Sequence, residues 1–264
     1  MPELPEVNTF QRYFDAAALQ QKVMKVDVSD DKIIRNMNGE AFAQKMQMRR
    51  FTGSMRRGKY LFADLDNGHS VLLHFGMTGD LKLYQEEEDR PRFERFAFVL
   101  EDGNRLAFED ARKFGRILYL ESRDDYIKEV GLGPDALEIS EEDFLAAMGQ
   151  RKASIKGFLL DQKAMAGMGN LYADEVCYRT RVHPASVVRA IPLKKRKEIF
   201  AKMKEVLKKA VDQSVYYKAY PDNWLWHEWR FDDHLAPDEK SKVQNAKIAG
   251  RTTYWASPWQ KKYG

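Results

Sequence analysis

A change of hydrophobic periodicity near residue 131 constrains the fold of this chain more than any other feature. Residues 4–19 carry apolar residues at near-helical spacing. Strand-like segments rich in branched and aromatic residues follow, separated by turns such as Asn67-Gly68 and Asp102-Gly103, at residues 23–28, 60–65, 71–75, 96–100, 105–108 and 116–120. After residue 134 helical spacing returns, in residues 141–148, 154–162, 171–181 and 193–215. The pattern predicts an α+β protein, with an N-terminal helix and an antiparallel β-sandwich followed by a helical region.

The length of 264 residues suits two domains. We predict a β-sandwich domain over residues 1–120, a linker over 121–140, a helical domain over 141–225 and a β-hairpin region over 226–264. The hairpin is expected around residues 243–260, where Gly250 favours a turn and the following Thr252-Thr253-Tyr254-Trp255 favours a strand.

Charge is unevenly distributed along the chain. Residues 151–264 contain 23 Lys and Arg against 12 Asp and Glu, although the whole chain carries a net charge of only +4. Such an excess of cations favours a polyanion as partner, because cations near phosphates release condensed counterions. A solvated helix face, such as the one around residues 194–197, explains the same charges about as well.

The chain has a single cysteine, Cys177, which excludes an internal disulfide and a zinc site built on thiolates. No apolar run reaches the roughly 20 residues of a membrane span, and the first residues lack the pattern of a signal peptide. We therefore expect an intracellular protein that does not enter a membrane.

The start of the chain offers a nucleophile beside two acids. Removal of Met1 would leave Pro2 with a secondary amine, which can attack a sugar aldehyde carbon as lysine amines do in Schiff-base catalysis. Glu3 and Glu6 are three residues apart, so a helix places them on one face, where they can serve as general acid and base. The same residues also suit an ordinary helix N-terminus, where acids are favourable.

Four further motifs each have an ordinary interpretation when taken alone. Basic residues precede a strand in Arg56-Arg57-Gly58-Lys59-Tyr60, which suits a solvated turn. Aromatic, methionine and basic residues flank glycine turns in His74-Phe75-Gly76-Met77-Thr78-Gly79 and in Asp110-Ala111-Arg112-Lys113-Phe114-Gly115, where they are most often structural. A glycine-rich turn joins two helices in residues 155–175, a pattern able to bind phosphate at a helix N-terminus.

These motifs, together with Pro2-Glu3-Leu4-Pro5-Glu6-Val7 and in the same order, resemble the formamidopyrimidine-DNA glycosylase and endonuclease VIII family. The resemblance implies a catalytic N-terminal domain and a helix-two-turn-helix DNA-binding domain. It implies that Pro2 is the nucleophile, Glu3 the acid-base group, Glu6 a second carboxylate and Lys59 an aid to phosphate binding and elimination. It also assigns Met77 to filling the gap left by an extruded base, Arg112 to the orphaned partner base and Phe114 to a wedge in the stack.

The remaining DNA-binding residues follow from the same resemblance. His74 belongs to the methionine motif, Lys156 and Asn170 match phosphate-contacting positions of the helix-two-turn-helix, and Arg251 matches the finger arginine that touches phosphate. The chain departs from the common pattern at the finger, where Ala256 and Trp259 occupy the positions of the last two zinc-binding cysteines. It therefore resembles the zincless-finger members, with aromatic packing in place of a metal, and we expect neither metal nor organic cofactor.

The predicted function is a bifunctional DNA glycosylase and abasic-site lyase of base excision repair, acting as a monomer on double-stranded DNA with oxidised bases or abasic sites. It would form a Schiff base through Pro2 and cut the strand by β,δ-elimination, in the cytoplasm or nucleoid of a bacterium or the nucleus of a eukaryote. The alternative is a protein that uses the helix-two-turn-helix to bind damaged DNA without cutting it.

The sequence does not decide which lesion is removed, 8-oxoguanine, formamidopyrimidine or an oxidised pyrimidine. Met77, Arg112 and Phe114 resemble the purine-excising branch of the family, whereas the zincless finger resembles the pyrimidine-excising branch. Residues 213–226 match the base-capping loop of neither branch.

Overall fold

The computed structural model describes residues 2–215, 220–225 and 233–264. The chain divides into two compact units, Met1–Gly131 and Leu132–Gly264. This division falls inside residues 121–140, the stretch predicted as a linker. The bounds of the four predicted regions stay predictions.

The N-terminal unit combines eight strands with three helices. Its helices are α1 (Leu4–Ala18), α2 (Gly39–Met46) and α3 (Arg123–Glu129). Its strands are β1 (Val23–Val28), β2 (Phe51–Arg57), β3 (Tyr60–Leu65), β4 (Ser70–His74), β5 (Gly79–Tyr84), β6 (Glu94–Leu100), β7 (Arg105–Asp110) and β8 (Arg116–Leu120). The helix α3 lies within the stretch predicted as linker, where Ser122 caps it by accepting a bond from the Asp125 backbone N–H.

The strands form two four-stranded antiparallel sheets, in the orders β1-β6-β7-β5 and β2-β3-β4-β8. Buried phenylalanines fill the core of this unit, and Phe51 meets both Phe14 of α1 and Phe98 of β6 edge to face. Edge-to-face contacts of this kind add stability beyond the burial of the rings. The predicted antiparallel β-sandwich with an N-terminal helix is therefore confirmed.

Two strands were not expected from the sequence pattern. β2 and β5 each lie at one edge of a sheet, as β1 and β8 do at the other, and the side chains of β2 and β5 are only partly buried. An edge strand can therefore carry polar residues such as Arg56, Arg57 and Lys82, which weaken the alternation that marks a strand.

Within residues 132–215, 220–225 and 233–264, the C-terminal unit shows four helices and one β-hairpin. They are α4 (Glu141–Met148), α5 (Ile155–Leu160), α6 (Asn170–Arg179), α7 (Leu193–Asp212), β9 (Lys242–Ile248) and β10 (Arg251–Ser257). Ser154 caps α5, and the hairpin reverses at Ala249-Gly250, where both residues have positive φ. Both the helical region and the predicted hairpin are present. Among the described residues, no helix combines the length and apolar character that a membrane span needs.

Candidate active site and nucleic-acid interface

The N-terminus of α1 holds the predicted acids in a fixed geometry. Glu3 is the N-cap of the helix, and its backbone N–H donates to Glu6 Oε2 over 2.9 Å as one half of a capping box. The side chain of Glu3 is only 1% exposed, whereas Pro2 is half-buried. The cap thus holds two carboxylates against the protein directly beside a partly accessible Pro2.

Contacts along α1 set the direction in which its N-terminus points. Gln11 Nε2 donates to Ser54 Oγ over 3.0 Å, and Ser54 Oγ donates to Asp15 over 2.6 Å, so the middle of α1 lies on the middle of β2. The backbone of Gln20, just past the end of the helix, bonds Phe51 at the start of β2, so the two elements run in opposite directions.

Elementary geometry then brings Lys59 level with Pro2. Ten residues of helix, from the middle of α1 back to Glu3, cover about 15 Å at a rise of 1.5 Å per residue. Four to five residues of strand, from Ser54 to the turn at Gly58-Lys59, cover about 15 Å at 3.3 Å per residue. The start of α1 and the turn between β2 and β3 are therefore expected at the same end of the sheet.

His74, at the end of β4, lies near the cations Arg116 and Lys59. Burial, followed by the positive charges of Arg116 and Lys59, lowers the pKa of His74 to about 4. Its Nδ1 accepts the backbone N–H of Gly76 over 3.3 Å, and its ring packs on Tyr60 at 4.9 Å between centroids. A neutral imidazole whose Nδ1 is an acceptor carries its proton on Nε2. His74 can therefore donate one hydrogen bond to a phosphate without needing a charge of its own.

Two loops carry the residues predicted to enter the DNA stack, residues 75–79 and residues 110–115; we call them the insertion loops. Asp110 is fully buried and joins them, because its carboxylate accepts bonds from Thr78 Oγ1 (2.5 Å), Arg112 N (3.2 Å) and Gly115 N (2.7 Å). Gly76 has φ +58°, and a Cβ there would lie 2.4 Å from the Phe114 carbonyl carbon. Only glycine fits this close crossing of two backbones.

The insertion loops present their large side chains to solvent. Met77 is 40% exposed and Phe114 is 49% exposed, while the Arg112 guanidinium lies over the Phe114 ring at 4.9 Å. Exposed apolar side chains on tightly bonded loops are suited to intercalation between bases. The structure thus brings together the two loops that carry Met77, Arg112 and Phe114, while the roles of these residues stay predictions.

In the C-terminal unit, Lys156 lies in a place that argues against the phosphate contact predicted for it. Its side chain is 0% exposed, its ammonium forms an ion pair with Asp174, and it donates to the Asn170 carbonyl over 2.7 Å. A buried ammonium needs such partners to offset the loss of hydration. Lys156 therefore holds the glycine-rich turn against α6 and does not reach solvent.

Asn170 and Arg251 are brought together by the hairpin. Asn170 begins α6 directly after the glycine turn, and its Nδ2 donates to the Thr252 carbonyl over 3.0 Å. Arg251, the neighbour of Thr252, is exposed at the start of β10. The backbone N–H of Tyr254 donates to Asp174 over 3.3 Å, so the same carboxylate that pairs with Lys156 also holds the hairpin.

Apolar packing surrounds Ala256 and Trp259, the two positions that the family resemblance assigns to zinc-binding cysteines. Ala256 is buried among Tyr178, Leu225, Ala236 and Val243, with Tyr254 and Trp259 packed against them. Trp259 Nε1 donates to the Tyr178 carbonyl over 3.2 Å, and the Arg181 guanidinium stacks on the Trp259 ring at 3.8 Å.

The described part of the chain contains no group of three His, Cys, Asp or Glu positioned to hold a metal. Of residues 213–226, where a base-capping loop would lie, residues 216–219 and 226 are outside the described residues, and so is His227, a histidine near the finger in the sequence.

Asp110 and Asp174 have no role predicted from the sequence, although each organises candidate residues within its own unit. Asp110 opens a motif quoted for its arginine and phenylalanine, and Asp174 stands in the helix after the glycine turn. Each of these aspartates is buried and accepts bonds from backbone N–H groups outside the regular helix and strand pattern. That feature could have identified them, but it is visible only in the folded protein.

Two family matches cover most of the chain. Residues 1–117 match the formamidopyrimidine-DNA glycosylase N-terminal domain, and residues 130–218 match the formamidopyrimidine-DNA glycosylase H2TH domain.

Whole-chain relatives agree with these matches. The formamidopyrimidine-DNA glycosylase of Heliobacterium modesticaldum is 34% identical over 278 residues, which cover 99% of this chain and 100% of that protein. The protein of the same name from Arabidopsis thaliana is 29% identical and covers 100% of this chain, with 72% of its own length matched.

Solved structures show the same fold. The Lactococcus lactis formamidopyrimidine-DNA glycosylase bound to DNA with an abasic site superposes with a TM-score of 0.87, at 23% identity, covering 98% of this chain and all of that one. A second enzyme, in complex with DNA carrying carbocyclic 8-oxoguanine, superposes with a TM-score of 0.89 at 24% identity, covering 99% of this chain and 100% of that one. The two family matches and the end-to-end relative at 34% identity show that this chain belongs to the formamidopyrimidine-DNA glycosylase family.

Proposed function

We propose that the chain, which its family makes a DNA glycosylase of base excision repair, is bifunctional: it excises an oxidised base and then cuts the strand. The observation that carries the proposal is the start of α1, where a half-buried Pro2 adjoins the buried carboxylates of Glu3 and Glu6. The DNA-bound relatives support a duplex with an oxidised base or an abasic site as substrate. We expect the chain to act as a monomer inside the cell, in a bacterial nucleoid or a eukaryotic nucleus.

The first step is attack on the sugar. With Met1 removed, the Pro2 nitrogen donates its lone pair to C1′, the glycosidic bond breaks, and the damaged base leaves with the proton that the Pro2 nitrogen loses. Glu3 supplies a proton to the ring oxygen O4′, so the sugar opens and an iminium joins Pro2 to C1′. The capping box suits this role, because it orients the acid while the helix dipole favours its later charged form.

Strand cleavage follows from the iminium. Loss of a proton from C2′ expels the 3′ phosphate by β-elimination, and a second elimination expels the 5′ phosphate, after which water releases Pro2. The turn that carries Lys59 is expected at the same end of the sheet as Pro2, so Lys59 can hold a flanking phosphate and stabilise the departing charge. His74, as a neutral donor beside Lys59, holds the same phosphate region.

The insertion loops and the C-terminal unit supply DNA binding. Met77 fills the space left by the extruded base, Arg112 bonds the orphaned partner base, and Phe114 separates the neighbouring pair. Asn170 and Arg251 contact phosphates beside the lesion, and Lys156 acts through Asn170 by fixing the turn.

Borohydride trapping tests the chemistry. Reduction of the iminium converts it to a stable amine, so wild-type protein should form a covalent adduct with abasic DNA on a denaturing gel. A variant that retains Met1, verified by intact mass, should form none, because an amide nitrogen is not nucleophilic. Glu3→Gln should lower base excision by roughly 100-fold or more, the usual contribution of a general acid.

An exposed carboxylate of the same unit provides the control, since Glu40→Gln should trap as well as wild type. Undiminished trapping by the Met1-retaining chain would exclude Pro2 as nucleophile. Absence of an adduct from the processed wild-type chain would favour the binding protein without catalysis.

Lesion choice is tested with duplexes that each carry one lesion. We expect the 8-oxoguanine and formamidopyrimidine duplexes to be cut faster than thymine glycol, because the chain has Met77, Arg112 and Phe114, the combination that resembles the purine branch. Single-turnover rates for 8-oxoguanine, formamidopyrimidine and thymine glycol measure the preference. Faster cutting of thymine glycol would place the chain in the pyrimidine branch.

A further inference from the structure

The tip of the second insertion loop has a backbone conformation that needs support. Lys113 has φ +56°, in the left-handed region that residues with a side chain rarely adopt. This reversal separates the side chains at the tip, because Arg112 and Phe114 contact each other while Lys113 reaches Asp30. A lysine offers no local advantage in this conformation, where glycine is favoured.

Asp30 is anchored firmly enough to supply that support. It follows β1, its backbone N–H donates to the Arg95 carbonyl over 3.0 Å, and its Oδ1 accepts the Lys32 N–H over 3.1 Å. Its side chain is mostly buried, and the hydrogen bond from Lys113 is the main reason that the pKa of Asp30 lies below its usual range.

Arg95 connects Asp30 to the start of the second insertion loop. Its guanidinium lies 3.4 Å from Asp30 and donates to the Asp110 carbonyl over 2.8 Å. The carboxylate of Asp30 therefore holds the loop at two points. It holds the start of the loop at Asp110 through Arg95, and it holds the tip directly through Lys113. Asp110 in turn bonds Thr78 of the other insertion loop.

We propose that Asp30 and Lys113 are positioning residues for base extrusion: their ion pair holds the reversed backbone that directs Arg112 and Phe114 side by side toward the DNA. The inference rests on the proposed function and adds to it two residues that touch neither sugar nor base. Their effect is confined to duplex substrates, because single-stranded DNA has no partner base to contact and no stack to open.

Three variants and a matched control test the inference. Asp30→Asn keeps an acceptor for Lys32 and removes the charge, Lys113→Met keeps the side-chain length, and the double variant combines them. Asp27→Asn removes the ion pairs of a carboxylate on β1, just before Asp30 in the chain, with Lys25 and Arg105 and away from the loops. The measurements are excision from lesion duplexes with each of four opposite bases, trapping on single-stranded abasic DNA, and Tm.

We expect Asp30→Asn and Lys113→Met each to lower duplex excision by roughly tenfold to 100-fold, the range for a displaced positioning group. Discrimination between opposite bases should shrink in both. The double variant should be little worse than either single one, because both changes break the same pair. Trapping on single-stranded DNA should match wild type for all of them, and Asp27→Asn should match wild type in both assays.

Two outcomes would overturn the inference. In the first, the Asp30→Asn variant excises the lesion from duplex DNA at the wild-type rate and discriminates between opposite bases as wild type does, at an unchanged Tm. Alternatively, Lys113→Met alone could weaken DNA binding and reduce its salt dependence, as expected for a lysine that contacts phosphate directly. Failure of the proposed function would look different, since wild-type protein itself would then give no trapped adduct.

Discussion

At the scale of single residues, burial decides what a charged or polar side chain can do. Lys156 and Lys59 are both lysines in motifs associated with phosphate, but Lys156 is enclosed with Asp174 while Lys59 stays partly exposed in a turn. Removing one partner of a buried pair leaves a charge without compensation, so Lys156 and Asp174 contribute to the order of the turn as a unit.

His74 leads to a prediction about pH at the same scale. An unfolded imidazole binds a proton below about 6.5, whereas folded His74 stays neutral down to about 4. Between these values the unfolded chain binds more protons, so His74 lowers the stability of the fold as the pH falls through this window. The difference in Tm between wild type and His74→Gln should therefore shift in favour of the variant from pH 7 to pH 4.5.

Thermal unfolding of both proteins in matched buffers measures this difference, and carboxylates that titrate in the same range affect both chains alike. A difference in Tm independent of pH would contradict the buried, neutral state of His74.

At the scale of elements, the C-terminal hairpin is held by packing and hydrogen bonds from distant parts of the chain. Gln260 accepts the Ala256 N–H over 2.7 Å and donates to the Val182 carbonyl over 2.9 Å. Trp259 adds its ring, its indole N–H and the stacked Arg181. A two-stranded hairpin alone is marginally stable in water, so these contacts keep Arg251 beside Asn170.

Replacement of Trp259 tests this support. We expect Trp259→Ala to lower the free energy of unfolding by about 2–3 kcal/mol, somewhat less than for a fully buried aromatic residue. Leu235→Ala in the same region should change it by less than about 0.5 kcal/mol, because Leu235 is 49% exposed. Urea denaturation measures both, and equal effects of the two changes would argue against a structural role for Trp259.

At the scale of the whole molecule, the charge asymmetry depends on where the chain is divided. Division at the structural boundary gives the C-terminal unit 23 Lys and Arg against 17 Asp and Glu, since five acids lie in residues 132–150. Several cations of α7 are also paired, as Lys202 is with Glu205 and Lys208 with Asp212. Net charge alone therefore overstates the number of cations available to bind phosphate. Exposed cations such as Arg251 are better indicators of where DNA binds.

The salt dependence of DNA binding measures how many cations take part. We expect Arg251→Ala to weaken binding about equally for different sequences and to reduce the slope of log K against log salt by about 1. Lys209→Ala, an exposed cation on α7, should leave the slope unchanged. An equal loss of slope in both variants would mean that diffuse charge, and not a defined contact, holds the DNA.

How much the sequence determined by itself depends on how local each feature is. Helices and central strands with strong periodicity, such as α7 and β3, were predictable, because hydrophobic spacing is a property of neighbouring residues. The edge strands β2 and β5 were not, because their partly exposed faces carry a weaker pattern. The order of the motifs was sufficient to indicate the family.

Only the tertiary structure decided which side chains are buried and which charges meet. The ring of Asp30, Arg95 and Lys113 joins three segments far apart in the chain, and Asn170 reaches a carbonyl 82 residues away. No local pattern encodes such pairs, because burial and pairing depend on how distant elements pack. For that reason neither the burial of Lys156 nor the supports of the insertion loops could be foreseen.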